Sequence, residues 1–107
     1  MTMHQQLVQD FCLKHHLNYS AETRLLDTLS ELGEVAKELL QGSNYGKTSY
    51  HRRPELEAEL GDLYFAMLTL ANSLDLDLET ALTETLQKYK HRLVKGSAGS
   101  ESDQYER

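Results

Sequence analysis

The sequence has little of several residue types that often organise small domains. Its 107 residues include one cysteine, one proline and no tryptophan. Because Cys12 has no second cysteine to pair with, an intrachain disulfide and a cysteine-based metal site are excluded. No apolar run approaches the roughly 18 residues that a membrane-spanning helix requires, and no strand pattern is evident. A chain of this length has room for one domain with a modest core.

The charge is negative and unevenly distributed. The formal net charge is -6, and the stretch between Pro54 and Gln87 holds eight acidic residues but no lysine or arginine. This balance argues against binding to nucleic-acid polymers or to anionic membranes. The first residues lack the basic and apolar segments of a signal peptide, so we expect a cytoplasmic protein.

Apolar periodicity predicts four helices followed by a tail. Ser20 and Asp77 are suitable N-caps for the second and fourth helices, and Gly42 is suited to end the second. We expect residues 1–94 to form one all-α domain resembling a four-helix bundle, and residues 95–107 to be a disordered tail. The predicted helices are Gln5–His15, Ala21–Gln41, Pro54–Leu74 and Leu78–Val94.

The second and third helices each carry a main apolar stripe, and we expect these stripes to supply the core. Phe65 and Leu68 lie away from the stripe of the third helix, at about 100° per residue. A second apolar face usually requires a second partner, so we predict a homodimer or homotetramer. The stripes consist of Leu25, Leu29, Leu32, Ala36 and Leu39, and of Leu56, Leu60, Leu63, Met67, Leu70 and Leu74.

Two copies of one acidic phrase stand out, Glu31–Glu34 and Glu59–Asp62, which read ELGE and ELGD. In a helix, acids three residues apart lie on the same side, one turn from each other. Each phrase also contains a glycine, Gly33 or Gly61, which costs roughly 1 kcal/mol relative to alanine in mid-helix. Close approach of two helices at a shared site would explain both glycines.

Four carboxylates without thiolates are the donor set that Mg²⁺ or Mn²⁺ prefers. A di-iron site needs Glu-x-x-His, which is absent, and the five histidines do not pair with the acids at zinc-ligand spacing. A solvated acidic face is the alternative interpretation. The repulsion between these acids favours a bound cation, because a divalent ion converts repulsion into attraction.

The spacing of the two phrases, with 24 residues between them, resembles the MazG-type nucleotide pyrophosphohydrolases of the all-α NTP pyrophosphatase superfamily. The segment Asp77–Leu82 is also similar to that family, and the resemblance runs from about Leu25 to Arg92. It implies Mg²⁺-dependent hydrolysis of a nucleoside triphosphate to the monophosphate and pyrophosphate. The implied metal ligands are Glu31, Glu34, Glu59 and Asp62.

Other residues are candidates for the reaction itself. Glu38 lies one turn beyond Glu34 and is placed to orient a water molecule, although a surface role is an equal alternative. Lys88 and Arg92 are placed to hold phosphates, or to complement the dipole at a helix C-terminus. His91 stands where the family usually has asparagine, which weakens that part of the resemblance.

A basic loop over residues 42–53 carries Lys47, Arg52 and Arg53. It either covers the triphosphate, reaches a neighbouring subunit's site or is a solvated connector. Asn72 is a candidate for contact with a base or sugar, with packing as the alternative. Two rival functions remain open. One is a catalytically inactive helical interaction module of the same fold, and the other is a pyrophosphohydrolase of a non-nucleotide or modified nucleotide. The presence of all four implied ligands favours the enzyme.

Overall fold

A computed structural model describes residues 1–96 of the protein, and these residues form helices and turns without a strand. The all-α prediction is therefore confirmed. Pro54 immediately precedes the third helix instead of beginning it. The predicted disordered tail comprises residues 95–107, and its residues after 96 lie outside the described part of the chain. The helices are α1 (Met3–Lys14), α2 (Ala21–Gly42), α3 (Glu55–Ser73) and α4 (Leu78–Val94).

Side-chain caps fix where two of the helices begin. The Ser20 hydroxyl oxygen accepts a hydrogen bond from the Thr23 backbone N–H at 3.2 Å. An Asp77 carboxylate oxygen accepts one from the Thr80 backbone N–H at 3.0 Å. Each bond satisfies an amide that has no partner within its own helix. Both predicted caps are confirmed.

α3 is the central helix, with α2 packed on one side and α1 on the other, whereas α4 packs little against the rest of the described chain. None of the described helices combines the length and apolar character needed to cross a membrane. The core is small, as expected for a chain of this size. Its buried apolar members are Cys12, Val35, Ala66, Leu68 and Ala71.

The apolar faces are buried differently from the prediction, although Leu56, Leu63 and Leu70 of the predicted stripe are half-buried. Leu68 is 3% exposed, and the Phe65 ring stands edge-on to Phe11 of α1 at 6.1 Å between centroids. These residues form the interface between α1 and α3, so the expectation that they need a second chain was wrong. Much of the stripe that was expected to form the core faces outward instead. The exposed members include Leu25, Leu29, Leu32, Leu39, Leu60, Met67 and Leu74.

A buried amide joins the start of α1 to the turn between α3 and α4. The Gln5 side chain is fully buried, and its Nε2 donates to Asn72 Oδ1 at 3.0 Å and to the Leu76 carbonyl at 2.7 Å. Gln5 Oε1 accepts from the Leu78 backbone N–H at 2.9 Å, and Asn72 Nδ2 donates to the Gln5 carbonyl at 3.0 Å. Satisfied buried amides of this kind specify one arrangement of the elements they join.

Candidate metal centre

Three acids converge where α2 runs beside α3. Glu31 of α2 and Glu59 and Asp62 of α3 each offer one carboxylate oxygen, and these three oxygens lie within 4.8 Å of one another. We call these residues the acid trio. Glu31 and Glu59 are half-buried and Asp62 is exposed. Both copies of the acidic phrase therefore contribute to one point, as the sequence predicts.

Glu34, the fourth implied ligand, lies one turn along α2 from Glu31 and is exposed. Its carboxylate is not part of the acid trio. Helical spacing nevertheless keeps it on the same side of α2 as Glu31. Its role as a ligand remains a prediction.

The pKa of Glu31 is raised above its usual value. The largest cause is partial burial, followed by the negative charges of Asp62, Asp27, Glu59 and Glu34. Both effects disfavour the ionised form of a carboxyl group. A bound cation would reverse the electrostatic part, so the apoprotein is electrostatically prepared for a positive ligand.

The acid trio fits a hard divalent cation in donor type and in spacing. Oxygens on opposite sides of octahedral Mg²⁺ are about 4.2 Å apart, since each bond is 2.0–2.1 Å. The three carboxylate oxygens lie within 4.8 Å of one another, so side-chain rotations are sufficient to bring them to one cation. Within residues 1–96 the cluster includes no histidine or cysteine, and its all-oxygen donor set suits Mg²⁺ or Mn²⁺.

The glycines of the acidic phrases are not contact points within the chain. A Cβ atom built on Gly33 or Gly61 meets no atom of a neighbouring element within 4 Å. The expectation that these glycines let α2 and α3 approach closely was therefore wrong. Both glycines face open space on the described chain.

Glu38 takes part in a buried ion pair. Its carboxylate is 5% exposed, and its Oε1 lies 3.0 Å from Nε of Arg53, the second residue before α3 begins. The Arg53 N–H is not directed at this oxygen, so Oε1 has the charge contact without a hydrogen bond. The water-orienting role of Glu38 remains a prediction. In the structure, Glu38 of α2 contacts Arg53 at the end of the loop that leads to α3.

The loop between α2 and α3 is held in place near its C-terminal end. The Tyr50 ring packs directly on Gly42, leaving no space for a side chain there. The His51 backbone N–H also donates to the Gly42 carbonyl at 2.9 Å. Earlier in the loop, Asn44 and Tyr45 have positive φ angles of 51° and 58°, which mark a tight left-handed turn.

The other predicted substrate residues are scattered over the described chain. Lys47 is exposed in the loop, and Arg52 is exposed with its guanidinium 3.6 Å from the Glu57 carboxylate. Lys88 of α4 is exposed, whereas Arg92 is buried. As described above, both ends of the Asn72 amide are engaged by Gln5. The partners of the Arg52 guanidinium and of the Asn72 amide are Glu57 and Gln5, which lie outside the acid trio.

Sequence reasoning missed features of two arginines. Arg53 was treated only as part of a basic loop, although it pairs with Glu38. Arg24 was not considered, although it is buried at 8% exposure. One available signal is spacing: Arg24, Glu31 and Glu38 are seven residues apart, which places them on one face of α2. A polar face at this period indicates the side of α2 that packs against α3.

The fold and the acid trio define an all-α protein with a carboxylate cluster between two helices. The chain belongs to the MazG nucleotide pyrophosphohydrolase domain family, whose profile matches residues 19–95. This membership confirms the resemblance to the MazG family.

Individual relatives agree with this assignment. The chain is 38% identical over 65 residues to the protein YpjD of Bacillus subtilis, a match that covers 58% of this chain and 57% of YpjD. It is 35% identical over 71 residues to the Gene 37 protein of Mycobacterium phage L5, covering 64% and 61% of the two chains. The match therefore spans about three-fifths of the length of each curated relative.

The fold is also similar to the crystal structure of the Bacillus-conserved MazG protein, a nucleotide pyrophosphohydrolase. The TM-score is 0.68 and the sequence identity is 32%, over 83% of this chain and 89% of that one. The described helices therefore follow a MazG-type arrangement.

Proposed function

We propose that this chain hydrolyses a nucleoside triphosphate to the monophosphate and pyrophosphate with Mg²⁺ as cofactor and Mn²⁺ as a substitute. The observation that carries the proposal is the acid trio, in which acids from both phrases approach within 4.8 Å. Membership in the MazG domain family supports the same reaction.

In the proposed reaction the cofactor and the protein side chains have different roles. A divalent cation supplies neutralisation of phosphate charge and a lower pKa for a bound water. Glu31, Glu59 and Asp62 would hold the cation as carboxylates. The water oxygen forms a bond to the α-phosphorus, and the bond between that phosphorus and the oxygen bridging the α- and β-phosphates breaks. Pyrophosphate leaves with that oxygen, and the water proton is released to solvent.

We also propose that the protein works as a homodimer or homotetramer. The outward leucines of α2 include Leu26, which is 67% exposed, and Leu29, which is 63% exposed. On α4, Leu82 and Leu86 are each 58% exposed. Soluble monomers rarely present apolar surface on this scale, so a second copy is the partner that these faces favour. Light scattering should give two or four times the chain mass, and a monomeric mass would contradict the proposal.

The reaction is tested by incubating the protein with a panel of canonical and modified nucleoside triphosphates plus Mg²⁺ and measuring pyrophosphate. Glu59→Gln and Asp62→Asn should abolish turnover without changing helical circular dichroism. Glu57→Gln is the matched control, because Glu57 is an exposed acid on the same helix. It should retain full activity. Retained turnover in Glu59→Gln would remove the acid trio from the site.

The same assay separates the rival functions. Hydrolysis confined to modified nucleotides or to a non-nucleotide pyrophosphate keeps the reaction class and changes the substrate. If no compound is hydrolysed and calorimetry shows no binding of Mg²⁺ or Mn²⁺, the helical interaction module replaces the enzyme.

A further inference from the structure

A second polar cavity lies away from the acid trio. It has a volume of about 160 Å³ and is bounded by α1, the turn that precedes α2, the first part of α2 and the C-terminal half of α3. No aspartate or glutamate lines it, although the chain has 17 acidic residues. Its polar lining residues are Gln9, Asn18, Arg24, Thr69, Asn72 and Ser73.

Arg24 is a buried cation without a counter-ion. Its Nη2 donates to the Leu17 carbonyl and lies 3.8 Å from Cys12 Sγ. Its guanidinium carbon lies 4.9 Å from the centroid of the Tyr19 ring. All three of these neighbours are electrically neutral, and no carboxylate within residues 1–96 lies within ion-pair distance of Arg24.

A buried charge is normally paired, because neutral dipoles replace only part of its lost hydration. The hydrogen bonds of the Arg24 guanidinium within the described chain come from Nη2. Its Nε and Nη1 donate to no group within residues 1–96. Since Arg24 lines the cavity, the cavity is suited to a negatively charged group.

The remaining polar lining residues divide into two groups. Thr69 and Ser73 donate their hydroxyls to carbonyls of their own helix, and Asn72 is engaged by α1. The side-chain amides of Gln9 and Asn18 make no hydrogen bond within residues 1–96. These two amides are therefore available as neutral donors beside the guanidinium.

We propose that this cavity binds a small oxyanion, a phosphate or carboxylate group, with Arg24 as its counter-charge and Gln9 and Asn18 as additional donors. Guanidinium groups favour such ligands because their N–H groups match paired oxygens. Arg24 precedes Glu31 by seven residues, or roughly 10 Å along the helix at 1.5 Å per residue. No member of the acid trio lines this cavity, so the oxyanion site is tested separately from the proposed hydrolysis.

The test is thermal unfolding in EDTA with inorganic phosphate added at constant ionic strength against chloride. Phosphate should raise the Tm of the unmodified protein in a saturable manner, because a ligand of the native state stabilises it. Arg24→Met should lose the phosphate-specific rise and Arg24→Lys should keep part of it. Lys37→Met, a change at an exposed lysine of the same helix, should keep all of it. A parallel titration with acetate distinguishes a carboxylate ligand from phosphate.

A second variant keeps the test decisive if Arg24→Met does not fold. Gln9→Glu places a carboxylate on the cavity lining, so it should raise the Tm in chloride and remove the phosphate response. Gln87→Glu adds the same charge at an exposed position on α4 and should leave the response intact.

Three results would overturn the oxyanion site. One is the absence of a phosphate-specific rise in the unmodified protein, and another is an equal rise in Arg24→Met. The third is a change of oligomer size in Arg24→Met combined with no phosphate response in the unmodified protein. This result would indicate that a group from a second copy of the chain is the partner of Arg24. EDTA removes divalent cations, so phosphate cannot bind through a cation at the acid trio. Glu59→Gln should therefore retain the phosphate response, even if this variant hydrolyses no nucleotide.

Discussion

Arg53 and Glu38 join the last part of α2 to the residues just before α3. Their side chains meet at 3.0 Å, with Glu38 5% exposed and Arg53 38% exposed. The attachment closes the loop over residues 43–53 at its base. It also sets the two helices that carry the acid trio side by side.

Breaking this ion pair should cost stability. Arg53→Met leaves the Glu38 carboxylate buried without its partner, and removing one member of a fully buried pair costs roughly 3–5 kcal/mol. Arg53 is partly exposed, so we expect about 2 kcal/mol from urea unfolding. Arg52→Met removes an exposed ion pair with Glu57 and should change the free energy of unfolding by less than about 1 kcal/mol.

The double variant Glu38→Gln with Arg53→Met checks the cause of that loss. It removes the buried charge as well as its partner, so it should recover much of the stability lost in Arg53→Met. If Arg53→Met proves as stable as the unmodified protein, the pair does not hold the loop.

Two glycines of α2 should respond in opposite ways to alanine. At Gly42 a Cβ would overlap the Tyr50 ring, so Gly42→Ala should displace the loop and lower the Tm. At Gly33 a Cβ meets open space, so Gly33→Ala should stabilise the helix by about 0.5–1 kcal/mol. A loss of stability in Gly33→Ala, together with a smaller oligomer, would instead indicate that a second copy covers this glycine.

Lys88 is predicted to hold substrate phosphates. Lys88→Ala should mainly raise KM and leave kcat nearly unchanged, since binding is lost equally from the ground and transition states. Lys90→Ala, a change at another exposed lysine of α4, is the comparison. An unchanged KM in Lys88→Ala would remove this residue from the substrate site.

The raised pKa of Glu31 predicts how stability depends on pH without metal. Relative to an ordinary glutamate near 4.5, the folded protein holds this proton more tightly. The resulting stabilisation is complete below pH 4.5 and is lost as the pH rises through the raised pKa. Urea unfolding in EDTA should show this decline, and Glu31→Gln should flatten it. Added Mg²⁺ should restore stability on the alkaline side, and a decline insensitive to Mg²⁺ would contradict the assignment.

Much of the fold follows from local sequence signals. Side-chain oxygens at Ser20 and Asp77 cap helices where propensity predicts, because capping depends on neighbouring backbone amides alone. Periodicity also locates all four helices. It does not identify which apolar face is internal, so Leu29 was wrongly assigned to the core and Phe65 to an outward face. That choice depends on contacts between distant segments, including the packing of Phe65 against Phe11.

The candidate site was predictable to a similar extent. Acids repeated at helical spacing indicate the face on which Glu31, Glu59 and Asp62 meet. The pairing of Glu38 with Arg53 depends on the path of the intervening loop, which no local pattern specifies. The burial of Arg24 depends on the turn that folds Leu17 back over it, so spacing alone did not distinguish it from a surface arginine.

Calorimetric titration of Mn²⁺ into the metal-free protein tests the central claim most directly. Binding to the unmodified protein should be saturable. At pH values near the raised pKa of Glu31, it should also release protons. Glu59→Gln should weaken it at least tenfold, whereas Glu57→Gln should leave it unchanged. Equal affinities in the unmodified protein and Glu59→Gln, or no binding at all, would contradict a metal centre formed by α2 and α3.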